Sequence, residues 1–488
     1  MSSLDCILLS ESNQENIKKE FELYKLAKTD DLCEPPIIKM PLGVDGVTCE
    51  HFLSDFENRT LGIHKRISKG KYKFKPFREE IKSKDAKIKS KVLAMELNKY
   101  RILSIACIDD VLTQKIIYKI LSRFTEDTVF KETNDLSYAY RPNKSAPQAA
   151  KKLYEYMKDG YLYALDADIE KFFDKIPHNE LMSNVVNLLG ENKLLIKYIK
   201  RFIKAPRVEY NTYNGNATLF QSKIPQITKR LAGVPQGGIL SGLLANIYLH
   251  QFDMWIKSDL NNRFDVKYVR YADDFVILCK SEESIIGIRT EVAKFLRSIK
   301  LSLHPDEKKT KIVNLTRKKS AVEFVGFSIS PTGIRIKTAN LLRFKSRIKE
   351  LIYDDITLDK NFRKGIHRIN YKVIGNELAN RYCINCGLRE PRRSWLDYFV
   401  TLTDIQQLKS LDLFIRTEIY KYTKFRYKIN LSKNDLILYG LFSLEKTYYR
   451  FRKEIMSPQS YCSCSTENKS FKRIKSSRYV SYLTLHDY

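Results

Sequence analysis

What the chain of 488 residues lacks narrows it first. Its start, Met-Ser-Ser-Leu-Asp-Cys, has no basic segment followed by a sustained apolar run, so no export leader is expected. No stretch approaches the roughly 18 consecutive apolar residues of a membrane span. Nine cysteines in so long a chain predict reduced thiols in a cytosol rather than a disulfide framework. Cys383-x-x-Cys386 and Cys462-x-Cys464 make a four-thiolate zinc site only through a short second spacing and a long separation, which favours ordinary thiols. Acid is the scarcer charge: 57 Asp and Glu face 86 Lys and Arg, a formal net charge of +29. Such a balance selects a polyanionic partner, nucleic acid ahead of a membrane surface. The 30 Tyr and 25 Phe can stack bases while neighbouring cations hold phosphates. A single core rarely grows beyond roughly 250–300 residues, so two or three domains are expected.

The chemistry is concentrated at Tyr271-Ala-Asp273-Asp274. Alternating Val266, Tyr268 and Arg270 precede it and the apolar run Phe275 to Cys279 follows, so the segment reads as two short strands joined at a pair of acids. Adjacent carboxylates between buried strands repel each other and persist where a cation neutralises them; hard oxygen ligands suit Mg²⁺. A hundred residues earlier, Tyr161-Leu-Tyr-Ala-Leu-Asp166-Ala-Asp168-Ile-Glu170-Lys-Phe172-Phe173-Asp174 runs from a mostly apolar strand into acids and a paired-aromatic turn. A strand-end Asp with a hairpin Asp-Asp is the arrangement of two-metal phosphoryl transfer.

These segments, with Gly233-Val-Pro235-Gln236-Gly237-Gly238 between them, resemble the reverse transcriptases in order and spacing. The resemblance implies an α+β right-hand polymerase fold: fingers, a palm with an antiparallel sheet, and an α-helical thumb, plus an N-terminal extension and a C-terminal tail. It implies Asp168, Asp273 and Asp274 as catalytic residues holding two Mg²⁺ ions, with Mn²⁺ as a substitute. Asp168 is preferred to Asp166 because Phe173 then falls where a bulky side chain stacks beneath the sugar and excludes a 2′-hydroxyl; Asp166 becomes a strand residue facing elsewhere. Arg101, Phe173, Gln236, Gly237 and Lys309 are the nucleotide-binding candidates, Lys309 being one of three lysines, with Lys308 and Lys311, offered to leaving pyrophosphate. Arg141, in Ser137-Tyr-Ala-Tyr-Arg141-Pro, is a nucleic-acid backbone contact, and Gly326, in Glu323-Phe-Val-Gly326, lies on the primer-grip strand. Gly242 departs from the family, replacing a frequent proline at a helix start. Asp174 and His178 read as structural.

The remaining chain fills in around this half. Residues 1–64 form a helical extension, with apolar residues at helical spacing from Glu15 to Leu26. Residues 65–335 hold fingers and palm, 336–456 a helical thumb and 457–488 a basic tail. Lys71-Tyr-Lys73-Phe-Lys75 alternates cation and ring, predicting a strand with one basic wet face that tracks phosphates. Helices are expected over Glu282 to Lys300, Asn340 to Tyr353, Tyr371 to Tyr382, Trp395 to Tyr420 and Ser432 to Lys453. In the tail, Tyr479, Tyr482 and Tyr488 stand among cations, either as stacking residues or as hydroxyls that prime synthesis.

No zinc-binding endonuclease or ribonuclease H segment is evident, nor the Val-Thr-Gly signature of retron enzymes. The resemblance is therefore strongest to the defence-associated bacterial enzymes. It implies synthesis of DNA from dNTPs on an RNA template, a co-encoded non-coding RNA, in antiphage defence in the bacterial cytoplasm and without a membrane. Oligomeric state stays open. Two alternatives stand beside this: a maturase that mainly binds intron RNA, and a template-independent or homopolymer-making polymerase.

Overall fold

The computed structural model describes residues 4–30, 37–84, 88, 90–97, 99–208, 227–354, 361–375, 378, 381–383, 386, 388, 390, 394–456 and 471–473. The chain forms two compact units, one of Met1–Ser145 with Gly160–Thr316, the other of Ala146–Asp159 with Arg317–Tyr488. No described helix is long and apolar enough to cross a membrane.

Besides a two-residue pairing of Thr29–Asp30 with Ile37–Ile38, the first unit has β1 (Phe77–Ser83), β2 (Tyr100–Ile105), β3 (Tyr163–Asp168), β4 (Arg207–Val208), β5 (Ile227–Thr228), β6 (Lys267–Tyr271), β7 (Asp274–Cys279) and β8 (Lys311–Asn314). They make two four-stranded sheets, ordered β2-β1-β4-β5 and β8-β3-β7-β6. The second sheet is antiparallel throughout and carries the acids. β7 lies between β3 and β6, which explains its composition: Phe275, Val276, Ile277, Leu278 and Cys279 are all fully buried, so the strand is an unbroken apolar run rather than an alternating one.

Helices cover this sheet. Glu282–Ser298 starts where the Ser281 hydroxyl accepts from Ser284 N, and its Ile285, Ile288, Val292 and Leu296, spaced by three and four, are buried. Each such side chain contributes about 1.5–3 kcal/mol on burial. The N-terminal helices Leu4–Glu11, Gln14–Lys28 and Phe56–Ser68 send Leu8, Ile17, Phe21, Ile63 and Ile67 into the same core as Tyr248 and Phe252. They are built into the first unit.

Residues 71–76 form no strand, contrary to the alternating pattern. The alternation is one of burial alone: Tyr72 and Phe74 are buried, while Lys71 and Lys73 are exposed.

The second unit pairs β9 (Val322–Phe324), β10 (Phe327–Ser330) and β11 (Gly333–Ile336) in a meander with helices Ala146–Lys158, Thr338–Lys349, Phe362–Ile374, Gln406–Tyr427, Lys433–Leu438 and Leu444–Met456. The helix expected over Asn340 to Tyr353 is present, running from Thr338 through a π-helical turn to Asp354, whereas the one expected over Tyr371 to Tyr382 starts earlier and the longer ones are divided. Phe362–Ile374 stops at Gly375, with φ of 53°, and Gly440, with φ of 89°, separates the last two. The expected helix from Trp395 is broken after Tyr398, and Thr403 Oγ1 turns aside to accept from Ile334 N at 2.8 Å.

Candidate active site

Backbone pairing places the acids. β3 ends at Asp168, the cross-strand partner of Asp274 at the start of β7. β6 and β7 are joined by the two residues Ala272 and Asp273, with Tyr271 opposite Asp274. Ala272 has φ of 62°, the positive value that a primed hairpin turn needs at its first position. The Asp273 carbonyl accepts from Ile169 N at 3.2 Å, which stitches the hairpin tip to the end of β3.

Beneath the tip lies Arg270, a residue that the sequence reading treated only as part of an alternating strand. It is fully buried, with Nε and Nη2 donating to the two oxygens of Asp253 at 2.8 and 2.5 Å. Its Nη1 donates to Asn246 Oδ1 at 2.9 Å and to the Ala272 carbonyl at 3.0 Å. Burial alone would lower the guanidinium pKa, but the Asp253 carboxylate more than offsets this and raises it. The signal for this clamp was present as an arginine in a buried strand and an aspartate on the apolar helix Ser241–Trp255. Their separation in sequence hid the pairing.

Burial, followed by the charge of neighbouring Asp168, raises the Asp273 carboxyl above its ordinary value. Lys309 Nζ donates to Asp168 Oδ2 at 2.8 Å, so this lysine is at the acids. Asp166 shares a sheet face with Asp168, being two residues away on one strand, rather than facing elsewhere. It is set apart by burial and by Lys311, 3.3 Å from its Oδ2. Asp274 stands opposite Asp168 in the pairing of β3 with β7, so the three acids are brought to one end of the sheet; among the described residues no group of three or more His, Cys, Asp or Glu is already closed around an ion position.

Phe173, five residues beyond Asp168, is half-buried, its ring 5.5 Å from Phe172 and 6.1 Å from Tyr140. The glycine-rich loop grips its backbone: Val234 N donates to the Phe173 carbonyl at 2.8 Å, and a Cβ on Gly233 would lie 2.6 Å from that oxygen. His178 Nε2 lies 2.7 Å from the Gly233 carbonyl, a structural role as expected. The Gln236 carbonyl accepts from Ser104 N at 2.7 Å, joining the loop with Gly237 to β2. Arg101 lies on the same strand, exposed, and is the cross-strand partner of exposed Lys82, a second cation that the sequence reading passed over.

Other expected contacts are placed differently. Arg141 is buried and its guanidinium is consumed internally: Nε and Nη2 donate to Glu126 at 2.8 and 2.6 Å, and Nη1 to the Ser137 carbonyl at 3.0 Å. With no nitrogen left for a phosphate, it is a structural anchor. Lys75 is paired with Asp45 at 2.8 Å, which leaves Lys71 and Lys73 as the exposed cations of that run. Gly326 belongs to the second unit, in a Val325-Gly326 turn with both φ values positive, and its carbonyl accepts from Asn340 Nδ2 at 3.0 Å. Tyr479, Tyr482 and Tyr488 lie outside the described residues, as do Cys462 and Cys464.

Residues 82–329 match the family model described as reverse transcriptase (RNA-dependent DNA polymerase). The chain belongs to that family. Its mixed α+β fold with an antiparallel sheet is the one expected from its sequence. This reverse transcriptase is 26% identical over 409 residues to the group II intron-encoded protein LtrA of Lactococcus lactis subsp. cremoris, covering 70% of this chain and 61% of that protein. It is 26% identical over 250 residues to protein YkfC of Escherichia coli strain K12, covering 44% of this chain and 61% of that protein. The chain thus spans about three fifths of the length of these curated relatives. A solved telomerase from Candida albicans, in complex with a fragment of telomeric RNA, covers 76% of this chain and 63% of its own at 12% identity, with a TM-score of 0.42.

Members of the family use divalent metal ions, and the donor set is suited to one. Asp168 and Asp273 offer hard oxygen ligands, and burial followed by the Asp168 charge disfavours the ionised Asp273, a penalty that a cation would relieve.

Proposed function

We propose that the chain is an RNA-directed DNA polymerase, a nucleotidyltransferase that copies an RNA template into DNA from dNTPs. The observation that carries this is the gathering of Asp168, Asp273 and Asp274 where the end of β3 is stitched to the tip of the β6–β7 hairpin. Asp168, Asp273 and Asp274 would hold two Mg²⁺ ions, with Mn²⁺ as a substitute; bound there, they would stabilise charge on the attacking and departing oxygens of an in-line displacement. The protein's own contribution is placement. Phe173 supports the sugar and excludes a 2′-hydroxyl, Gln236 and Gly237 bound the nucleotide, and Arg101 with Lys82 presents positive charge to its phosphates. Lys309 Nζ, held on Asp168, is a proton donor for the departing pyrophosphate. In this reading the two sheets of the first unit are fingers and palm, and the helices over 338–456 are the thumb.

The test is the double replacement of Asp273 and Asp274 by Asn, assayed for dNTP incorporation on an RNA template with a DNA primer. Loss of roughly a thousandfold or more with unchanged folding is expected. Normal synthesis by the folded variant would end the reading. Similarity to an intron-encoded protein favours one second reading, a maturase acting by binding RNA. That protein would keep its biological activity after the same replacement. A co-encoded non-coding RNA as template, a role in antiphage defence and a cytoplasmic location rest on the sequence resemblance, and sequencing the nucleic acid that copurifies with the protein decides the template.

A further inference from the structure

Tyr140 is fixed in place from several directions and yet stays open to solvent. Its backbone is left-handed, with φ of 57°, a conformation that a non-glycine residue adopts only at a cost. Its carbonyl accepts from Tyr118 Oη at 3.4 Å, and the carbonyl of Ala139 before it accepts from Asn246 Nδ2 at 2.7 Å. Asn246 is the residue whose Oδ1 receives Arg270 Nη1. The segment that carries Tyr140 is therefore bonded to the clamp beneath the acid hairpin.

The residue is 47% exposed, and its ring stands edge-on to Phe173, with 6.1 Å between centroids and 83° between planes. Burial, followed by the charge of Asp273, raises the pKa of its hydroxyl. On its other side is Gly242. A Cβ there would lie 2.3 Å from the ring Cγ and 2.5 Å from Cδ1, so no side chain fits while the ring keeps its place. Gly242 is where the sequence departs from the proline frequent in its family, and the structure gives the reason: the tyrosine ring takes up the space. A residue serving only to fill the core would be buried; this one is exposed and held under backbone strain, its ring against the side chain assigned to the sugar.

We propose that Tyr140 is a specificity-determining residue, its ring forming with Phe173 a two-ring corner on which the nascent base pair, incoming nucleotide and templating nucleotide together, is seated. Gly242 is glycine so that the ring can stand there. Two perpendicular rings at fixed spacing accept a pair of correct width and meet a misshapen one with a steric clash, which is discrimination by exclusion. This rests on the polymerase reading given above.

The experiment compares Tyr140→Ala, Gly242→Ala, the two combined, and Tyr140→Phe, each by single-nucleotide insertion on a primed RNA template with correct and incorrect dNTPs. Melting temperature is recorded for every variant. Tyr140→Ala is expected to raise the ratio of incorrect to correct kcat/KM by about tenfold or more, chiefly through a higher KM for the correct dNTP. Gly242→Ala, which drives the ring from its place, is expected to do the same. The combined variant relieves the clash and so folds at least as well as Gly242→Ala alone, with discrimination no worse than in Tyr140→Ala, because both changes remove one ring. Tyr140→Phe retains the ring and is expected to retain discrimination. Unchanged discrimination in Tyr140→Ala and in the combined variant, with the wild type active, overturns the inference while leaving the polymerase reading intact. A wild type that inserts no dNTP overturns both.

Discussion

Arg270 and Asp253 form a fully buried ion pair with two hydrogen bonds, and the same guanidinium holds the Ala272 carbonyl in the loop that presents Asp273. A buried pair is weak evidence for stability, since removing two charges from water costs what their attraction returns. Its value here is positional: Arg270 links the helix Ser241–Trp255 to the hairpin, and Tyr268 Oη completes the site by donating to Asp253 Oδ1 at 2.9 Å.

Breaking that pair from one side is therefore expected to be costly. Arg270→Met leaves a buried carboxylate without its cation, and a loss of about 3–5 kcal/mol in urea unfolding is expected. Arg270→Met combined with Asp253→Leu should recover much of that stability without restoring dNTP incorporation, because the Ala272 carbonyl still lacks its donor. Recovery of both together would reduce the clamp to a packing element.

Sugar choice offers a second check. Phe173→Ala is expected to raise use of rNTPs relative to dNTPs by about tenfold or more, read as a ratio of kcat/KM values. An unchanged ratio would place the gate elsewhere.

Two arginines that look alike in sequence should behave in opposite ways. Arg141→Ala removes all the bonds to Glu126 and the carbonyls around it and is expected to destabilise the fold by several kcal/mol, as truncating a buried charged partner does. Arg101→Ala removes an exposed side chain and is expected to leave unfolding within about 0.5 kcal/mol while raising KM for dNTPs. Calorimetry and steady-state kinetics on both variants check the contrast.

A fourth expectation concerns pH. Asp110 accepts from Tyr72 Oη at 2.7 Å and from Lys75 N at 3.0 Å, yet burial dominates and raises it from 3.8 to about 7. The folded protein therefore holds this proton more tightly than the unfolded chain does. Its contribution to stability is fully present below about pH 4 and is lost as pH rises to about 7, a change of a few kcal/mol. Asp110→Asn should flatten this part of the stability curve, with Asp109 and Lys75 nearby left in place. An unaltered slope between pH 4 and 7 would reject the assignment.

Much of this was readable beforehand because the signals were local. An apolar run ending in an acid specified β3, and two strands around Ala272-Asp273 specified the hairpin, since short-range pattern and final structure agree there. The fold class followed. What escaped reading depended on distant partners. Arg141 reads as a surface cation until Glu126, fifteen residues earlier, is known to pair with it; Lys75 likewise needs Asp45. Gly242 reads as a weakened helix start until the Tyr140 ring, a hundred residues upstream, is found against it. The helical breaks at Gly375 and Gly440 had a local signal, but amphipathic spacing on both sides ran past it.

The two-residue length of the β6–β7 loop has a consequence for how this region can diversify. Asp168 faces Asp274 only in the present frame of pairing, and because side chains alternate from one sheet face to the other, sliding a strand by one residue would carry Asp274 to the opposite face. Substitution at Ala272 is open to evolution and to engineering, within the limits set by its positive φ. Insertion or deletion is more demanding, since the extra or missing residue must be absorbed by the turn or by sliding β6 against β7, away from the Tyr271–Asp274 pairing that closes the present two-residue loop.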